Sequence, residues 1–188
     1  VLSKGRPLEK KFLELGNPFR LDLMQNVRTT REISVTASAL GYVDRMTAGI
    51  SGPEVDLLYC SPAKIGEQIG AKVGALINLG LKASEILLLG FDQEDAVQYP
   101  ELKNLIEPLE RPNYGGAVRF ASIAEVKGLE AVAVIIFGFK GLKTGLARQL
   151  AYIGATRAST YLSIILGESL SSQVADAYAA LAIRNPSR

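Results

Sequence analysis

Two apolar runs near the middle of the chain, Glu85-Ile-Leu-Leu-Leu-Gly-Phe91 and Val132-Ala-Val-Ile-Ile-Phe-Gly-Phe139, constrain the fold more than any other feature. A strand that is apolar at nearly every position, without polar alternation, must be covered on both faces, which is the condition of a parallel sheet flanked by helices. Four further strand patterns accompany them, at Phe19–Met24, Val55–Cys60, Val118–Ile123 and Tyr161–Leu166. Helical patterns separate most of these strands. The alternation predicts an α/β, doubly wound, mainly parallel sheet with helices on both faces, formed as one domain over residues 1–188.

The helix signals are specific enough to name faces. Thr29-Thr-Arg-Glu32 has capping-box spacing and predicts a helix with Ile33, Ala37 and Leu40 turned inward. Ser61-Pro62 opens a second helix whose stripe is Ile65, Ile69, Val73 and Leu76, with Gly80 as its C-cap. Gly66, Gly70 and Gly74 run beside that stripe and predict close packing on the sheet. Residues 1–18 are basic and irregular, an opening segment. Residues 92–117 form an acidic, proline-containing surface excursion around an expected short helix at Glu101–Leu109. Residues 168–188 hold a C-terminal helix and tail, with Leu170, Val174, Ala177, Tyr178 and Leu181 on its inner face.

Composition removes several chemistries. The chain has no histidine, which excludes Ser/His and Cys/His nucleophilic catalysis and most zinc sites. Cys60 stands alone in an apolar strand, as a small core residue of a reduced, intracellular protein does. No apolar run is long enough to span a membrane, and no signal peptide is visible, so a cytoplasmic protein is expected. The net charge is +2 although residues 92–117 carry six acids against two bases, so the remainder is basic. That distribution suits an anionic ligand and also ordinary solubility.

Arg157 is the charge that asks for an explanation. Leu142, Leu146, Leu150 and Ile153 step by four, four and three, predicting a helix from about Leu142 to Ala158 with Arg157 next on its apolar stripe. A guanidinium there needs an anion, because an uncompensated buried charge costs on the order of 3 to 5 kcal/mol. The partner is either a carboxylate of this chain or the phosphates of a bound nucleotide. Arg28, between the predicted strand Phe19–Met24 and a helix N-terminus, lies at the strand-end edge where open α/β sheets take ligands.

Three segments occur in order: L-x-Q-N-x-R-T-T-x-x-I from Leu23 to Ile33, S-I-x-x-V-K-G-L-E from Ser122 to Glu130, and L-x-Y-I-G-A-T-R-A from Leu150 to Ala158. Together they resemble motifs IV, V and VI of the UvrD/Rep-type superfamily-one DNA helicases, whose second, C-terminal RecA-like domain carries all three. The resemblance covers nearly the whole chain and implies a RecA-like (P-loop NTPase-like) fold. It implies that Arg28 and Arg157 reach the γ-phosphate of ATP as arginine fingers. Glu130 would accept hydrogen bonds from the nucleotide sugar, Gly128 would bring a backbone amide close to phosphate, and Gln25 and Tyr152 would support the nucleotide. Ser122 and Lys127 are the motif V candidates for contact with single-stranded DNA. The chain departs from the family at Val27, Ala124 and Ala131, and Ser122 stands where the family has threonine.

A phosphate-cradling G-x-x-x-x-G-K-[ST] loop is missing, since Leu142 separates Gly141 from Lys143, and no D-E-x-[DQ] magnesium motif exists. The resemblance therefore implies half of an ATP·Mg²⁺ site, with no metal ligand in this chain. The partners it implies are an N-terminal RecA-like domain and single-stranded DNA, with no membrane. The isolated chain is expected to hydrolyse nothing. The alternative is a degenerate helicase fold kept as a DNA-binding or assembly scaffold. Arginines 28 and 157 on opposite edges of the sheet would make the motif match a coincidence.

Overall fold

The computed structural model describes residues 25–26, 28–43, 47–48, 50–92, 95–99, 102, 105–108, 117–126 and 128–184. The predicted strand at Phe19–Met24 and the opening segment lie outside these. Eight strands are described: β1 (Gln25–Asn26), β2 (Thr47–Ala48), β3 (Asp56–Cys60), β4 (Ile86–Gly90), β5 (Ile106–Pro108), β6 (Val118–Ser122), β7 (Ala131–Phe137) and β8 (Ala158–Gly167). The helices are α1 (Arg31–Gly41), α2 (Ile65–Asn78), α3 (Asp95–Gln98), α4 (Gly145–Ala155) and α5 (Ser171–Arg184). A six-stranded sheet has the order β3-β8-β7-β4-β6-β5, and β1 and β2 form a separate pair. Every pairing is parallel.

The apolar runs behave as their composition requires. In β4, Leu87 and Leu89 join one core and Ile86 and Leu88 the other; in β7, Val134 and Ile136 oppose Ala133, Ile135 and Phe137. On the first face lie Ile33, Ala37 and Leu40 of α1, Ala151 and Ala155 of α4, and Val174 of α5. On the second lie Ile65, Ile69, Val73 and Leu76 of α2. Each such Leu or Ile contributes about 1.5 to 3 kcal/mol by leaving water. The α5 face is also as expected, with Leu170 in the turn just before the helix, and the Tyr178 and Thr36 hydroxyls share a 2.7 Å hydrogen bond.

Four local expectations are corrected. The short helix at Glu101–Leu109 is replaced, over its described part, by β5, which adds Ile106-Glu-Pro to the sheet beside β6; a proline is tolerated at an edge strand, where its missing N–H interrupts no inner ladder. Gly70 and Gly74 face solvent, and a β-carbon at either would meet nothing within 4 Å. They follow the packing residues Ile69 and Val73 by one position, about 100° around the helix and off the sheet. Thr30, not Thr29, caps α1, its Oγ1 accepting from the Ile33 N–H at 3.4 Å, and Glu32 turns away to another segment. Finally, α4 begins three residues after Leu142, which is buried from the preceding loop, while Leu146 is 62% exposed. Counting helical steps from a loop residue set the wrong phase: the buried positions of α4 are Ala151, Gly154 and Ala155.

Candidate functional site

Arg28, Glu130 and Arg157 meet at the amino edge of the large sheet. Glu130 immediately precedes β7 and Arg157 immediately precedes β8, and the Ala131 N–H donates to the Arg157 carbonyl at 3.0 Å, so the two strands start side by side. Register is irregular there: Ala131 faces Ala158 but Ala133 faces Tyr161, giving β8 one extra residue. Such a bulge re-aims the side chains beside it. This corrects the expected location. The arginines do not gather at the carboxyl ends of the strands of the large sheet, where doubly wound folds usually take ligands.

The segment that leads into β7 is shaped by Gly128, at φ +84, followed by a turn in which the Leu129 N–H donates to the Val126 carbonyl at 3.1 Å. Arg28 Nε lies 2.7 Å from Glu130 Oε1, both side chains about half exposed. Arg157 reaches the neighbouring peptide, its Nη1 donating to the Leu129 carbonyl at 3.3 Å, its Nε to the Ile153 carbonyl at 3.1 Å and its Nη2 to Thr156 Oγ1 at 3.4 Å. Two guanidinium groups thus converge on consecutive residues. The acceptors of Arg157 are uncharged, and among the described residues no carboxylate is paired with it. Because α4 ends at Ala155, Arg157 stands past the helix, half-buried at the rim, and is not on a buried stripe.

The approach of Arg28 is set by α1 and a strap running past its first turn. The Arg31 N–H donates to the Ile50 carbonyl at 2.8 Å, and the Gly52 N–H donates to Glu32 Oε2 at 2.7 Å. That backbone donor, chiefly, holds the Glu32 carboxyl below the usual range. A β-carbon on Gly52 would overlap Thr30, so the strap sits directly on the helix cap.

The other sequence candidates are dispersed. Gln25 lies in β1, paired in register with Thr47. Tyr152 packs against Gly41 at the far end of α1. Ser122 lies at the opposite, carboxyl edge, where it is buried and its hydroxyl donates to Glu125 Oε2 at 2.7 Å. That placement corrects the expectation of a hydroxyl open to a nucleic-acid strand. Lys127 falls outside the described residues. At the carboxyl edge a cleft of about 450 Å³ is lined by Phe91, Lys140, Gly141, Lys143, Thr144 and Gln173, with Lys140 Nζ 2.9 Å from Asp92. The direct Arg28–Glu130 pair was visible in sequence only as opposite charges in two motifs; the bulge left no signal.

The comparisons agree with this architecture. No protein-family model matches the chain, and no curated protein matches it in sequence. Among solved structures, the chain is similar to the crystal structure of the C-terminal domain of a possible DNA helicase from Lactobacillus plantarum WCFS1, with TM-score 0.61 and 18% identity over 83% of this chain and 96% of that one. The fold is therefore a RecA-like α/β fold, similar to that of this neighbour.

Proposed function

We propose that this chain is the C-terminal motor domain of a UvrD/Rep-type, superfamily-one DNA helicase, and that the amino-edge cluster completes an ATP site begun on an N-terminal RecA-like domain. The observation that carries this reading is Arg157. Its guanidinium meets only neutral oxygens among the described residues and stands one residue along from the Arg28–Glu130 pair. Two cations at one exposed rim are what a transferring phosphoryl group requires, since its charge is spread over three oxygens. The Arg28–Glu130 pair is no obstacle: an exposed pair is worth about 0.2 to 1 kcal/mol, and a phosphate offers Arg28 a stronger, bidentate partner. Glu130, so released, accepts from the nucleotide sugar, and the amide beside Gly128 faces phosphate. Gln25 supports the nucleotide from β1. Mg²⁺ belongs with the N-terminal domain. Single-stranded DNA is the proposed track. No helix among the described residues is long and apolar enough to cross a membrane, and we place the motor in the cytoplasm.

The test is DNA-dependent ATP hydrolysis by the two-domain protein. Arg157→Ala is expected to lower kcat by about 10³-fold or more, the scale of a lost arginine finger, with KM changed far less, and this chain alone should hydrolyse no ATP. Undiminished turnover in Arg157→Ala refutes the reading. A scaffold without ATPase activity is the second reading, favoured by Ser122, whose buried hydroxyl is already bonded to Glu125; wild-type two-domain protein that binds DNA yet hydrolyses no ATP would establish it.

A further inference from the structure

Arg157 and Arg28 are held in place by different means. Arg157 is tied to the large sheet through its own carbonyl, bonded to Ala131, and the next residue is already in β8. Arg28 arrives from the β1–α1 loop, and β1 pairs with β2 in the separate two-stranded sheet, so its place over the large sheet follows the seating of α1. That seating is fixed at the first turn by the strap at Ile50 and Gly52, along the helix by Ile33, Ala37 and Leu40, and again at the far end. A β-carbon on Gly41 would stand 2.8 Å from Tyr152 Cβ, so α1 and α4 touch there at backbone range. The next residue, Tyr42, adopts φ +53, which makes it the sole non-glycine with positive φ among the described residues. Glycine is the usual solution for a left-handed C-cap, and the N–H of Tyr42 makes only the bonds to Ala39 and Ser38 that a glycine would make. What glycine lacks is the ring. The Arg148 guanidinium lies 3.6 Å from the ring centroid and that of Arg184 5.3 Å, both within cation–π range. Arg148 Nε is anchored on the Leu142 carbonyl at 2.8 Å, and Arg184 Nη1 on the Tyr42 carbonyl at 2.6 Å. One aromatic ring thus fastens the end of α1 to both α4 and α5.

We propose that Tyr42, gripped by Arg148 and Arg184, is a positioning residue that sets where Arg28 stands relative to Arg157. The inference rests on the arginine-finger reading for its functional consequence but not for its geometry, and the two are tested apart. On this chain, the readout is the Arg28 Nε–H resonance of an isotope-labelled sample. Tyr42→Leu, which keeps the same backbone demand without the ring, should move that resonance toward its position in Glu130→Gln, while Tyr42→Phe leaves it in place and the Arg157 resonance stays fixed in both. An Arg28 resonance unmoved in Tyr42→Leu overturns the proposal, as does a variant in which both arginine resonances move together with loss of cooperative unfolding. In the two-domain protein, Tyr42→Leu should lower kcat about ten- to a hundredfold, the effect of misplacing a reacting group by roughly 1 Å, with KM within about twofold. Combined with Arg28→Ala it should add no further loss, because both changes act through one group; losses that multiply would show a role independent of Arg28. If Arg28→Ala itself turns over at the wild-type rate, the ATP-site reading fails while the resonance experiment on Tyr42 still stands.

Discussion

Gly128 and Gly138 share nearly the same backbone angle, φ +84 and +83, at opposite ends of β7. A β-carbon on Gly128, at the amino edge, would meet nothing within 4 Å, whereas one on Gly138, at the carboxyl edge, would overlap the Asp95 carboxylate. The contrast extends to the surroundings. At the amino edge Arg28, Glu130 and Arg157 stand partly in solvent, with the guanidinium of Arg157 turned to neutral oxygens. At the carboxyl edge the chain fills its own crevice: Asp95 is 2% exposed and accepts the Asp92 N–H at 2.8 Å, and a β-carbon on Gly90 would lie 3.0 Å from Asp95 Cβ. In a doubly wound sheet, a phosphate would ordinarily enter at the carboxyl ends of the strands. Here a phosphate approaching Gly138 meets a carboxylate, so the ends of β4 and β7 are closed by charge as well as by volume, and the open cleft of this edge lies beside them, between Phe91, Lys140, Thr144 and Gln173.

The two glycines allow the contrast to be broken directly. Gly138→Ala combines a left-handed alanine with a collision against a buried carboxylate, and we expect it to lower unfolding free energy by about 3 kcal/mol. Gly128→Ala carries the backbone term alone, about 1 kcal/mol. Denaturant unfolding of the two variants measures the difference. Equal losses would mean that Asp95 yields freely and that the crevice at Gly138 is not closed.

What the sequence disclosed, and what it withheld, follows the same division. The strands β4 and β7 were legible because an uninterrupted apolar run has only one economical place, between two covered faces. The inner stripes of α1 and α2 were legible because each repeat lies wholly within its helix, and that of α5 because the turn holding Leu170 runs directly into the helix and keeps its phase. The α4 stripe was misread because Leu142 enters the core from a loop, and nothing in its spacing to Leu146 distinguishes a loop leucine from a helical one. At the site, the resemblance of the three motifs assigned Arg28, Glu130 and Arg157 to one site. The edge was misjudged from Arg28, which follows a strand, but that strand, β1, belongs to the separate pair, whereas Glu130 and Arg157 both precede strands of the large sheet. Tyr42 had no legible signal at all: its partners Arg148 and Arg184 are distant in sequence and belong to no periodic pattern.

Asp95 sharpens the comparison through pH. Burial, the largest influence, raises its carboxyl above the usual value, and the neighbouring Asp92 adds to this against the opposing pull of the Asp92 backbone N–H and of Lys140. A folded-state pKa above the unfolded one means that the native chain binds the proton more tightly, so this group's contribution to stability is present below the unfolded pKa and is lost as pH rises through the folded one. Asp95→Asn keeps an oxygen to accept the Asp92 N–H and removes the charge. The variant should therefore gain on the wild type in thermal unfolding at neutral pH, with the advantage shrinking as pH falls toward 4. Glu32, whose carboxyl is lowered chiefly by the Gly52 N–H, has the opposite sign: its contribution is present above the unfolded pKa and fades as pH falls through the folded one, and Glu32→Gln should remove that acid-side dependence. An Asp95→Asn profile parallel to that of the wild type would mean that the acid is effectively solvated, and the crevice open.

The smallest stability effect belongs to the pair with the largest proposed role. Arg28 and Glu130 are 2.7 Å apart, yet their side chains are 58% and 43% exposed, so solvent screens the attraction and two long side chains lose freedom to make it. Glu130→Gln should change unfolding free energy by less than about 0.5 kcal/mol, and added salt should shrink even that, since exposed charges are screened over about 8 Å at physiological ionic strength. A pair this weak does not hold the domain together. Its geometry is instead that of a contact that a ligand can displace, and the same substitution in the two-domain protein should weaken nucleotide binding. A loss of stability in Glu130→Gln comparable to that of Gly138→Ala would reverse this assignment, making the amino edge a structural seam and the carboxyl edge the place to look for a ligand.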